Sequence, residues 1–177
     1  MAMLMEVKHD TYDKYGQIIS IIGNENCLFR AISYCVYDRE QSYFTVVRNG
    51  VVQHIMNNWS KFSPFVTDGH YGHNISIASS GEYEEYMQKN GVYGTFIEIQ
   101  AAVEIYSITI RVYMANSNDV YTIGAVNDEI VFQLLYTSDG NEGHYEVLES
   151  KDHQKILEMA RLMEIKHNIY DRYHGQI

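Results

Sequence analysis

Cysteine, histidine and a carboxylate or amide make up the side-chain set that can run acyl transfer without a metal. Cys27 is the residue of this chain best placed to supply the nucleophile. It stands where the polar, glycine-led stretch Gly23-Asn-Glu-Asn26 passes into the apolar segment Leu28-Phe-Arg-Ala-Ile32. Backbone N–H groups at a helix start lack intrahelical partners and carry partial positive charge. A cysteine there is expected to ionise more readily than its unperturbed pKa of about 8.5 allows. The same unpaired amides can hold the oxyanion formed when a thiolate attacks a carbonyl. A buried structural cysteine is the alternative reading, because free cysteine is among the most buried residue types.

Eight histidines compete to be the base. His9 and His167 occupy matched places in a terminal repeat, and His153 and His174 lie in the end segments, so a surface position is expected for all four. His54 falls inside a helical pattern and reads as packing or an exposed edge. His70 and His73 form His-x-x-His in a loop, without the third or fourth donor that zinc requires. His144 follows a glycine-rich turn, where a strand would present its end to a pocket. Residues two apart on a strand share a face, so Glu146 can orient the His144 ring. Asn141 and Glu142 are alternative orienters, and an exposed polar pair is the plainer reading of His144 and Glu146.

The elements expected to position these groups make a mixed α/β chain. Residues 18–22 are an apolar run, either strand or loop entry. Helices are expected at 27–37, 42–59, 82–89 and 95–106, from apolar positions three and four apart. In the second, Val46, Val47, Gly50, Val51, His54, Ile55 and Asn58 trace the expected stripe. Residues 63–77, rich in Gly, His and Asn, read as a surface loop. β-Branched and aromatic residues predict strands at 107–113, 120–123 and 130–135, then a turn at 137–143 and a strand at 144–148. From Lys151 onward, Ile156, Met159, Ala160 and Met163 form a helical stripe.

Composition narrows the function classes. The 177 residues fit one ordinary domain, with 46% apolar content and the single proline Pro64. A formal charge of −10 argues against nucleic acid and suits a basic protein or peptide segment. Cys27 and Cys35, eight apart in one expected helix, cannot bridge, and no Cys-x-x-Cys pair suggests zinc. The opening Met-Ala-Met-Leu-Met is too short for a signal peptide, and no run reaches membrane-spanning length. A reducing, cytoplasmic compartment is therefore expected.

The two ends nearly repeat each other. Leu4 to Tyr15 matches Leu162 to Tyr173 at most positions, and Gly16-Gln-Ile18 returns as Gly175-Gln-Ile177. Similarity at a spacing near the domain length suggests one unit of a tandem array, with 1–15 and 151–177 as linker helices around a domain at 16–150.

Together these segments resemble the ovarian-tumour (OTU) domain cysteine proteases. Asn24-Glu-Asn-Cys-Leu-Phe-Arg-Ala31 resembles that family's Asp-Gly-x-Cys-Leu-Phe-Arg-Ala signature, and Gly143-His-Tyr-Glu-Val147 its closing His-Tyr motif. Val47-Arg-Asn-Gly-Val-Val52 is similar to its Leu-Arg helix. Glu85-Tyr86 and Tyr93-Gly-Thr-Phe-Ile-Glu-Ile-Gln-Ala-Ala102 resemble its Trp-Gly-x-x-Ile-Glu-Leu-x-Ala segment. The likeness runs from about Gly16 to Ser150. It implies an α+β fold, with a small, mostly antiparallel sheet packed between helices. It implies a deubiquitinase with ubiquitin or polyubiquitin as partner, no cofactor, no metal and no membrane, in a monomeric unit. Cys27 would be nucleophile, His144 base and then acid, and Glu146 orienter, with the backbone amides of Glu25, Asn26 and Cys27 forming the oxyanion hole. Gly143, Tyr145, Glu82 and Glu85 would meet substrate, with Glu84 and residues 63–77 as further acidic and loop surface. Host cytosol would be the location for a viral or bacterial effector. Three departures stand out: Asn24 replaces the family's Asp, Glu146 its Asn or Asp, and Tyr93 its Trp. A non-catalytic ubiquitin-binding module and a protease for another ubiquitin-like modifier are the competing expectations.

Overall fold

The computed structural model describes residues 16–67, 76–117, 119–124, 130–138 and 143–149. Two compact units divide the chain: Ile19–Val147 is the larger, and Met1–Ile18 with Leu148–Ile177 forms the other. Apart from Gly16-Gln-Ile18, the terminal repeat lies outside the described residues, as do His9, His70, His73, His153, His167, His174, Asn141 and Glu142.

Strand β1 (Gln17–Ile19) leads through Ile21 and Ile22 to the Cys27 loop. Gln41 fixes that entry by accepting from Ile22 N–H at 3.0 Å and donating to Ser20 O at 3.1 Å. Helix α1 (Cys27–Val36) buries Leu28, Phe29, Ala31 and Ile32. The three large ones, Leu28, Phe29 and Ile32, each contribute roughly 1.5–3 kcal/mol on leaving water. It ends where Asp38 and Arg39 take positive φ (45° and 68°), a conformation that breaks the helix.

The region expected to be one helix at 42–59 begins with a 3₁₀ turn, Gln41–Tyr43, and continues as α2 (Phe44–Asn57). Its buried face is Val47, Arg48, Val51, Val52 and Ile55, while Val46 is exposed. The stripe is displaced because Arg48 turns inward, which apolar spacing alone does not register. Residues 63–67, expected in a loop, belong to helix α3 (Trp59–Thr67), with Pro64 inside it. Phe62 and Val66, one turn apart and both buried, anchor this helix despite the hydrogen bond that Pro64 removes.

Helix α4 (Ser80–Met87) starts with Ser79 Oγ accepting from Glu82 N–H at 3.2 Å. Helix α5 (Phe96–Tyr106) opens on a capping box: Thr95 accepts from Ile97 N–H, and Glu98 Oε2 accepts from Thr95 N–H at 2.6 Å. Ser107, at φ 52°, closes it.

Strands β2 (Thr109–Met114), β3 (Val120–Ile123), β4 (Val131–Ser138) and β5 (Gly143–Glu149) join β1 in the order β1-β5-β4-β2-β3. The sheet is mixed. β2 runs antiparallel to β3, pairing Ile110 with Ile123, and parallel to β4, pairing Val112 with Leu134. Two chain reversals with β4 laid on the far side of β2 restore the direction of travel. β4 extends through Ser138, into residues whose composition suggested a turn.

Candidate active site

Cys27 opens α1 and is 1% exposed. The loop before it is held by its own polar groups. Asn24 Oδ1 accepts from Asn26 N–H at 3.0 Å, and Asn24 O accepts from Cys27 N–H at 2.9 Å. Asn24 thus forms the Asx-type turn that a carboxylate would also form, with an amide oxygen and no charge. Of the three amides expected to hold an oxyanion, Asn26 and Cys27 are engaged within the loop. Glu25 N–H has no bond among the described residues.

The sheet delivers the histidine to this loop. The Tyr145 backbone N–H, on β5, is directed at the Cys27 sulfur. The His144 ring lies against the loop: a β-carbon added at Gly23 would sit 4.0 Å from His144 Cε1. Cys27, His144 and Gly23 therefore share one neighbourhood, although distant in sequence. Glu146, two residues along β5, is buried at 4% exposure, and His144 is half-buried.

Burial pushes the Cys27 thiol above its ordinary pKa. Amide donors from Tyr145, Leu28 and Cys27 itself oppose that rise, and the Glu25 charge adds to it. The easier ionisation expected at a helix start is overturned here: desolvation outweighs the favourable amides.

A buried polar network braces the loop from behind. Arg48 Nη2 donates to Asn26 Oδ1 at 2.8 Å and to Val92 O at 2.7 Å, and Nη1 donates to Met87 O at 2.8 Å. Its guanidinium lies 4.0 Å over the Phe29 ring. Burial lowers its pKa to about 10, so Arg48 stays charged at neutral pH. Asn26 Nδ2 donates in turn to Asn90 Oδ1 at 2.9 Å. Glu98, fully buried, accepts from Tyr83 Oη at 2.8 Å besides capping α5. Gly94 sits close above α1, where a β-carbon would come within 2.6 Å of Leu28 Cδ2.

The remaining predicted residues are placed as follows. Gly143 runs under Tyr136, whose Cζ a β-carbon would approach to 2.6 Å, and the Tyr136 and Tyr145 rings lie 4.9 Å apart. Glu82 Oε2 accepts from Ala78 N–H at 2.7 Å, so its carboxylate serves its own helix start. Glu84 accepts from Gln53 and Gln88, and exposed Glu85 faces Lys89 at 3.7 Å. None of these three carboxylates bonds to the Cys27 loop among the described residues. Sequence reasoning missed the working parts of Arg48, Asn90 and the Tyr145 amide. The available signal was Arg48, a charge set among Val47, Val51 and Val52.

Comparisons with known proteins agree with this geometry. The family model for OTU-like cysteine proteases matches residues 22–145. The chain belongs to the OTU-like cysteine protease family. It is 30% identical over 116 residues to rat OTU domain-containing protein 5, covering 65% of this chain and 19% of that protein. It therefore spans about a fifth of the length of that curated relative. The solved OTUD1 OTU domain matches with a TM-score of 0.61 at 23% identity, over 81% of this chain and 93% of that one. An ovarian-tumour domain solved in complex with ubiquitin matches with a TM-score of 0.59 at 20% identity, over 77% and 70%. These structural likenesses carry the fold, helices around a mixed sheet.

Proposed function

We propose that this chain is a thiol-dependent deubiquitinase, hydrolysing isopeptide or peptide bonds after the C-terminal glycine of ubiquitin. The observation that carries this reading is the approach of the His144–Tyr145 end of β5 to the Cys27 loop. Membership of a cysteine protease family and the likeness to an OTU domain bound to ubiquitin support it.

In the proposed mechanism Cys27 Sγ attacks the glycyl carbonyl, and the thiol proton passes to His144. Burial disfavours a free thiolate, so the proton passes to His144 as the sulfur attacks. Glu146 orients the imidazole, taking the place that an Asn or Asp fills in related proteases. The tetrahedral oxyanion forms beside the loop amides, and relief of the Asn24 bonds would free the Asn26 and Cys27 N–H groups for it. His144 then protonates the departing lysine amine, and water activated by the same ring hydrolyses the thioester.

A second reading, a fold that binds ubiquitin without cleaving it, is favoured by the buried Cys27 and the engaged amides. Incubation with a panel of di-ubiquitins separates the two. The enzyme reading expects mono-ubiquitin from at least one linkage, and loss of that product in Cys27→Ala. Binding to di-ubiquitin with no cleavage of any linkage would favour the second.

A further inference from the structure

Asn26 occupies the N-cap position of α1, where an asparagine side chain ordinarily accepts from an amide of the first turn. Here it makes no such bond. Its Oδ1 is taken by Arg48 Nη2 at 2.8 Å, and its Nδ2 by Asn90 Oδ1 at 2.9 Å. The diversion has a visible consequence. The Leu28 amide, in the first turn, is left facing the Cys27 sulfur, where it stabilises negative charge.

We propose that Arg48 and Asn90 are positioning residues, which hold the Asn26 side chain off the helix start so that the Leu28 amide stays open toward the Cys27 sulfur. Arg48 is itself fixed at both ends of the segment between α4 and α5, through Met87 O and Val92 O, and by its stack on Phe29. Asn90 lies between those two anchors. A β-carbon on the neighbouring Gly91 would sit 4.0 Å from the Glu25 carboxyl carbon, so the same segment also flanks the loop. The geometry of the nucleophile is thereby tied to residues 88–92, which carry no chemistry of their own. Without the Asn90 acceptor only the Arg48 bond holds the Asn26 side chain, and its oxygen is free to turn toward the Leu28 amide as an ordinary cap would.

This inference rests on Cys27 being the nucleophile, and Asn90, which is exposed, allows it to be tested without opening the core. Asn90→Ala removes the acceptor; Asn90→Asp keeps an oxygen in its place. The expected result is a kcat for di-ubiquitin cleavage about tenfold lower in Asn90→Ala, with KM and thermal midpoint unchanged. Asn90→Asp restores most of the rate. Iodoacetamide alkylation of Cys27 against pH gives a readout independent of ubiquitin: its midpoint moves upward in Asn90→Ala and returns in Asn90→Asp. Wild-type kcat and alkylation profile in Asn90→Ala would overturn the proposal. So would a loss that tracks a lowered thermal midpoint and is not restored by Asp. If the wild-type chain cleaves no di-ubiquitin, the deubiquitinase reading fails, and the alkylation profiles still decide this one.

Discussion

The nucleophile and the base are held by different kinds of structure. The Cys27 loop is braced by side chains: Asn24, Asn26, Arg48 and Asn90 form a chain of hydrogen bonds, all of 2.8–3.0 Å where they meet the loop. His144 is carried by backbone, on a strand whose path is set by Gly143 beneath Tyr136 and by the Tyr136–Tyr145 ring pair. The first arrangement is specific and costly, since each buried polar group must find a partner. The second is cheap in polar groups and sensitive to shape. Substitutions should therefore damage the loop through lost bonds and the strand through overlap.

The largest effect is expected at the base. His144→Ala should lower kcat by about 10²–10⁴-fold with little change in thermal midpoint, because the ring is only half-buried. Rate and melting measurements on one preparation check both halves. Next comes Glu98→Ala, which removes the acceptor that the Tyr83 hydroxyl and the Thr95 N–H share and with it the cap of α5. A loss of about 3 kcal/mol in urea unfolding is expected, with Glu98→Gln milder because it keeps acceptor oxygen.

On the strand side, Gly143→Ala should cost about 1–3 kcal/mol through collision with the Tyr136 ring. Adding Tyr136→Ala should relieve that collision, and a double-mutant cycle measures the coupling. The smallest effect is at Glu104, far from either region. Burial raises its pKa, but bonds from Lys61 (2.8 Å), Gln100 (2.8 Å) and His54 (3.0 Å) outweigh that and bring it to about 2. Its folded pKa lies below the unfolded value of about 4.3, so its stabilisation is present above that pH and is lost as pH falls toward 2. Discounted for solvent screening, about 1 kcal/mol separates wild type from Glu104→Gln at neutral pH. The two should converge in acid unfolding.

Much of the site was legible in the sequence, because local composition marks local structure. The polar loop before an apolar helix placed Cys27, and alternation after a glycine-rich turn placed His144 on a strand. What remained hidden was non-local. Arg48 is one charge on an expected helix until the Cys27 loop and residues 87–92 close over it, and Asn90 lies just past the helix expected at 82–89. The ionisation of Cys27 was misjudged for the same reason: a helix start favours thiolate, but the depth of burial that overrides it belongs to the tertiary fold. Residues 63–67 were misread because Pro64 and nearby glycine outweighed the Phe62 and Val66 pair. β4 ran past its expected end since Thr137 and Ser138 are tolerated by a ladder as readily as by a turn.

The central claim is that Cys27 is the reacting nucleophile and that the base stands beside it. A ubiquitin probe bearing a C-terminal electrophile tests this most directly, read by mass spectrometry on wild type, Cys27→Ala and His144→Ala. The account predicts one adduct, on Cys27, absent from Cys27→Ala and slowed in His144→Ala. An adduct that persists in Cys27→Ala, or forms equally fast without the imidazole, would contradict it.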